Sequence, residues 1–268
     1  MVGPGCSLAL LIIGLWLSSL VPLGWFDPFT IFGQRSLQTW IAVAAIILVR
    51  TFLQTGLFIV AHDAMHGSLV PRRPGLNTLL GQICLGLYAA IPYRLCHSNH
   101  LRHHRNPGGG DDPDFHDGRH NHPLSWYITF MGGYLSTAQI GWLLAIWACA
   151  LAGLTFTSSH PVAVLVLFWV LPLILSSMQL FLFGTYLPHR AQSASPGSCH
   201  QVGSSSLPPA ISLLACYHFD YHWEHHHHPD SPWYTLPSLR RSRLKKELVE
   251  RHPCARVQPQ PGVRIQTH

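Results

Sequence analysis

The chain has 268 residues, of which 48% are hydrophobic and only 10% charged, with a formal charge of +6 at pH 7. A charged share so far below the usual quarter or so excludes an ordinary soluble globular domain and reads as an integral membrane protein. The positive excess suits anionic headgroups or an acidic redox partner and requires no nucleic acid; seven scattered cysteines without a Cys-x-x-Cys pair argue against a disulfide framework or an iron-sulfur site.

In chain order, apolar runs at 7–25, 40–60, 132–156 and 161–183 are each near or above the roughly twenty residues that cross a bilayer. The first lacks a basic segment before Arg35 and a clear cleavage site, so it reads as a retained span rather than a signal peptide. A further apolar stretch, Leu76 to Leu95, carries Asn77, Gln82, Pro92 and Arg94. If it crossed, histidines on its two sides would lie on opposite faces of the membrane, so it reads as a re-entrant or interfacial helix pair. The expected fold is therefore all-α: about four transmembrane helices in a single domain over residues 1–268, under a helical cap formed by 61–125 and 187–240. Asn-Pro-Gly-Gly-Gly at 106–110 stops a helix, 193–209 reads as a surface loop, and 253–268 reads as a disordered tail. With this topology the basic residues, including Arg72, Arg73, Arg102, Arg105 and the run from Arg240 to Lys246, fall on one face, with Arg35 opposite and Arg50 inside a span. Positive charge accumulates on the cytoplasmic side, which puts both termini and the cap there.

The cap carries three histidine clusters: His62 and His66; His100, His103 and His104; His222, His225 and His226. Residues three and four apart share a helix face, so each cluster aims its imidazoles in one direction. One such pair among 20 histidines is unremarkable as a solvated face; three clusters with this spacing point to metal. Eight convergent histidines exceed what one ion needs, and suit two ions with positions left for oxygen. Imidazole accepts iron, zinc, copper or nickel, so the ligands alone do not choose the metal.

Four strings carry a resemblance: His-Asp-Ala-Met-His-Gly at 62–67, Asp-Pro-Asp-Phe-His at 112–116, Phe-Gly-Thr-Tyr-Leu-Pro-His-Arg at 183–190 and Tyr-His-Phe-Asp-Tyr-His-Trp-Glu-His-His at 217–226. The three-box pattern resembles the membrane-bound fatty acid desaturase and hydroxylase superfamily, and the strings narrow it to the β-carotene ketolases, the carotenoid 4-oxygenases. The resemblance implies that His62, His66, His100, His103, His104, His222, His225 and His226 bind two Fe2+ ions, with His189 the ninth ligand. It implies O2 as co-substrate and oxidation of the C4 methylene of a membrane-dissolved β-ionone ring to a ketone by two hydroxylations and a dehydration. It departs from the family where histidines continue through His227 and His228, which leaves the register of the third box open by a residue or two. His218, four residues before His222, is a further ligand or a donor beside one. Asp63, Asp114, Asp117 and Asp220 accept the second ring N–H of ligand imidazoles, or are solvated loop residues.

No nicotinamide or haem motif accompanies the boxes, so electrons come from outside, by expectation from a ferredoxin with its reductase docked on the basic face. Two other readings use the same features. A fatty acyl desaturase or hydroxylase shares the metal cap. A metal transporter also explains abundant histidine, but transporters place ligands near the bilayer midplane, whereas these boxes lie beyond the span ends.

Overall fold

In a computed structural model, residues 3–21, 23, 27–33, 35–116, 121–190 and 202–251 are described. Asp117, most of the loop read at 193–209 and the tail at 253–268 lie outside them. Every regular element among the described residues is helical: α1 (Pro4–Ser18), α2 (Pro28–Ile31), α3 (Leu37–Met65), α4 (Pro74–Ala89), α5 (Tyr93–Arg105), α6 (Pro123–Tyr134), α7 (Thr137–Leu154), α8 (Pro161–His189), α9 (Pro209–Cys216), α10 (His222–His227) and α11 (Leu236–Arg251).

Among these, α3, α7 and α8 are long and apolar enough to cross a membrane. Helix α7 leaves Trp142 and Leu144 on its surface and Phe156 follows it equally exposed, an outward apolar face that lipid, not water, satisfies. The chain is a membrane protein. Helix α1 has 15 residues, shorter than a bilayer needs, and overlaps only residues 7–18 of the run read as 7–25. The run read as 132–156 is broken: Ser136 caps α7 by accepting the amide of Gln139 at 3.1 Å, which separates α6 from the span.

Helices α4 and α5 meet at a bend of 103°. The break falls where Ala90 takes a left-handed conformation, φ 53°, and Pro92 follows, so α4 ends and α5 starts in a new direction. The Gln139 side chain donates to the Ala89 carbonyl at 3.0 Å and covers one of the acceptors left open there. This bend brings α5 back beside the end of α3, so the first two histidine boxes share one side.

Two polar side chains inside the apolar bundle, Gln54 and Arg50, find partners there, as a water-poor medium favours. Gln54 on α3 accepts from the Trp16 indole at 2.6 Å and donates to the Tyr88 carbonyl at 2.5 Å, tying α1, α3 and α4 together. Arg50, 1% exposed, donates to the carbonyls of Phe168 and Trp16 and to the Ser19 hydroxyl, with its guanidinium 4.9 Å from the Trp16 ring. Arg50, which the sequence reading puts inside a span, thus makes its contacts with the helix bundle. Helix α8 contains two π-helical segments, Val166–Val170 and Phe181–Tyr186, the second directly preceding His189. Each widened turn changes the phase of the residues after it, and such segments cluster at functional sites.

Candidate metal centre

Nine histidines converge in two groups. His62, His66, His100, His104 and His225 form one, and His103, His189, His222 and His226 the other; within each, one ring nitrogen per residue lies within 4.8 Å of the rest. These are the nine positions singled out from the sequence. Neither His218 nor His227 belongs to a group: His218 Nδ1 lies 3.0 Å from the Ser212 hydroxyl, and exposed His227 stacks on Trp223 with ring centroids 3.7 Å apart.

Helical phase explains the division. At 3.6 residues per turn, positions four apart nearly superpose, while the residue between them in a His-x-x-His-His string points about 100° aside. His100 and His104 therefore share the first group, and His103 turns toward the second. In the third box the pattern is inverted, with His222 and His226 together in the second group and His225 in the first. Each of the two helices thus serves both groups. His62 and His66 at the end of α3 complete the first, and His189 at the end of α8 completes the second.

Ring nitrogens approach closely: His66 and His100 Nε2 at 2.6 Å, His104 and His225 at 2.9 Å, His222 and His226 at 3.0 Å, His103 and His226 at 3.1 Å, and His189 and His222 at 3.1 Å. Burial holds the pKa of His100, His222, His225 and His226 well below the usual imidazole range and that of His104 down at about 2, and neighbouring imidazoles add to the effect. Neutral rings keep the lone pair that a metal ion takes. The fit to a metal is specific at His62, whose buried Nε2 has no hydrogen-bond partner among the described residues. An all-nitrogen, convergent donor set suits a transition metal and does not suit calcium or magnesium.

Behind the rings, Asp112 is the carboxylate that orients an imidazole. Its oxygens lie 2.9 and 3.0 Å from His103 Nδ1, and they also accept the amides of Gly108 at 2.7 Å and Asp114 at 2.9 Å. Burial opposes charge on both partners, but the hydrogen bond prevails, raising His103 and lowering Asp112. Sequence reasoning missed Asp112 and selected its neighbours. Asp63 lies beside His62, its Oδ1 3.5 Å from Nδ1, while its Oδ2 accepts the Trp233 amide at 3.0 Å. Asp220 accepts the hydroxyls of Ser212 and Ser205. Asp114 accepts the Tyr134 hydroxyl at 2.5 Å, and burial raises its pKa.

One cavity opens onto both groups. It is bordered by His62 and His100 of the first and His103 and His222 of the second, and its remaining walls are chiefly apolar: Phe58, Met65, Ile91, Phe130, Met131, Leu180 and Phe219. Phe219 stands edge-on to His62 and to His222, with centroids 4.7 and 5.3 Å away, and so bridges the groups. Gly184, in the second π segment, permits this: a Cβ there would lie 2.2 Å from Phe219 Cε1. Gly184→Ala is expected to push the ring against the imidazoles and lower turnover by about tenfold, the scale of a 1–3 kcal/mol overpacking penalty. Turnover and metal content measured together check this; unaltered values would show that Phe219 has room to yield.

Residues 38–257 match the family model for fatty acid desaturases. The chain belongs to the fatty acid desaturase family. Among curated relatives of this desaturase-family chain, a β-carotene ketolase of Haematococcus lacustris is 39% identical, covering 88% of this chain and 79% of its own length. A β-carotene ketolase of Paracoccus sp. is 42% identical over 85% of this chain and 89% of its own, and a zeaxanthin 4-ketolase of Chlamydomonas reinhardtii is 38% identical over 88% and 53%. No solved structure gives a significant match.

Proposed function

We propose that this desaturase-family protein is a carotenoid 4-ketolase. The observation that carries the reading is an apolar cavity bordered by two histidines from each group. A hydrocarbon ring fits such walls and brings its C4 methylene to the place where two metal ions would act. The nine histidines would hold two iron ions, and bound iron supplies the activation of O2 that C–H oxidation needs.

The net chemistry is two hydroxylations at one carbon. Each inserts one oxygen atom of O2 into a C4–H bond and reduces the other to water with two electrons and two protons. The second hydroxylation gives a geminal diol, which loses water to leave the ketone. β-Carotene becomes echinenone and then canthaxanthin, and the named zeaxanthin relative extends the reading to hydroxylated rings, from zeaxanthin to astaxanthin. Phe58, Met65, Phe130 and Phe219 hold the ring by apolar contact and exclude water from it, and Asp112 holds His103 in orientation. Expression in cells that accumulate β-carotene, under air, tests the reading: 4-keto pigments are expected, and unchanged carotenoids with the protein in the membrane and a competent ferredoxin present would overturn it.

The cap and both termini lie on the cytoplasmic side in this reading, supported by the distribution of basic residues. Helix α11 presents the docking face for a ferredoxin with its reductase. Two of its cations are engaged: Arg243 Nε donates to buried Glu224 at 2.8 Å, with Arg240 Nη1 3.8 Å from the same carboxylate. Arg241, Lys245 and Lys246 are exposed. Reversing those three to Glu is expected to slow ferredoxin-supported turnover by about tenfold or more at low salt, as loss of electrostatic steering does. Rates insensitive to both salt and charge reversal would remove α11 as the docking face.

A further inference from the structure

A hydrocarbon ring needs no polar group in its pocket, and a buried carboxyl is costly to place in one. Yet Asp114 lines the cavity, with His103 near it. It is firmly built in: the Trp126 indole donates to its carbonyl at 3.0 Å, its amide donates to Asp112, and its Oδ1 accepts the Tyr134 hydroxyl at 2.5 Å. Its Oδ2 has no hydrogen bond among the described residues and is not fully enclosed, and Asp114 is part of the cavity wall. Arg102 and His103 act on Asp114 as favourable charges, but Arg102 does not line the cavity; among the described residues the ionisable groups bordering it with Asp114 are the four histidines, Tyr88, Tyr134 and Cys96.

On an unsubstituted β-ionone ring the first hydroxylation changes the ligand from a hydrocarbon to an alcohol, and gives a carboxyl in the wall a C4 hydroxyl to bind. We propose that Asp114, held by Tyr134, hydrogen-bonds the C4 hydroxyl made in the first turnover and retains the half-oxidised ring for the second. The proposal rests on the ketolase reading and adds a residue that governs whether the enzyme stops at the alcohol or goes on to the ketone. Asp114 acts on the substrate directly, and Tyr134 is a positioning residue that fixes the carboxyl plane.

The test is the ratio of 4-hydroxy to 4-keto product, which is independent of total turnover, together with KM for a supplied 4-hydroxy ring. Asp114→Leu, which keeps the volume and removes the polar group, is expected to shift product toward the alcohol and to raise that KM by about tenfold, the scale of one hydrogen bond to a carboxyl. Asp114→Asn, still able to bond a hydroxyl, is expected to restore ketone formation. Tyr134→Phe leaves the carboxyl in place but unanchored and is measured in parallel, with a smaller rise in the alcohol fraction expected. Wild-type ratios in both Asp114→Leu and Tyr134→Phe would overturn the proposal while leaving the ketolase reading intact. An effect confined to rings bearing a 3-hydroxyl would also overturn it, assigning Asp114 to substrate choice. Absence of any C4 oxygenation by the wild-type protein is the separate result that removes the ketolase reading.

Discussion

His100→Ala and His103→Ala, on adjacent turns of one helix, are expected to empty different metal positions. Each variant should retain about one iron per chain where the wild type holds about two, because a ligand sphere missing one imidazole binds too weakly to keep its ion through purification. Ketone formation should fall to background in both, a larger effect than the roughly 10–100-fold cost of losing a supporting partner behind a ligand. The distinction between the two lies in which companions fail with them. His100→Ala should resemble His66→Ala and His225→Ala, whereas His103→Ala should resemble His189→Ala and His222→Ala, following the two groups. Metal analysis with a spectroscopic readout of the remaining ion checks the grouping without depending on activity. Loss of both ions from every variant alike would sink the idea of two separable positions.

That grouping was only partly within reach of the sequence: helical phase separates the middle histidine of the second and third boxes from the other two, but convergence of three boxes says nothing of which helix meets which. Box spacing told that His100 and His104 share a face. It could not tell that His225 crosses to join them, because that depends on how α10 is docked after the turn at Tyr217 and His218, both in the left-handed region with φ 50° and 63°. The bend between α4 and α5 was legible from Pro92 and from the need to keep two boxes on one side. The end of α8 was legible only as far as His189 itself: the run of aromatic and aliphatic residues through Phe181–Tyr186 has no spacing that distinguishes a π turn from an α turn, and the placement of Gly184 against Phe219 follows from that turn. The carboxylates were the least legible. Asp112, Asp114 and Asp117 stand in one stretch of chain after the second box, and nothing in their spacing says which of them meets an imidazole; the carboxylate closest to an imidazole N–H among the described residues, Asp112, reaches it by a return of the glycine-rich loop after α5. Loop returns are set by tertiary closure, which residue spacing does not encode.

Asp112→Ala is expected to weaken one metal position and leave the other. The Asp112 carboxylate is buried, takes the His103 ring nitrogen between its two oxygens and anchors two backbone amides, so it fixes both the tautomer of His103 and the loop behind it. Without it His103 can rotate and the Gly108 and Asp114 amides lose their acceptor. Affinity for the second ion should drop about 10–100-fold, with product formation falling in step and recovering as iron is added back. Recovery is what separates this variant from His103→Ala, in which the ligand itself is gone and added iron restores nothing. Asp112→Asn offers a finer division, because the amide oxygen still accepts from His103 or from the backbone while the negative charge is removed. An affinity near that of Asp112→Ala would assign the effect to charge, and one near wild type would assign it to orientation. Full occupancy of both positions in Asp112→Ala at limiting iron would show that packing against His189, His222 and His226 suffices to aim the His103 ring, and the role given to Asp112 would fall.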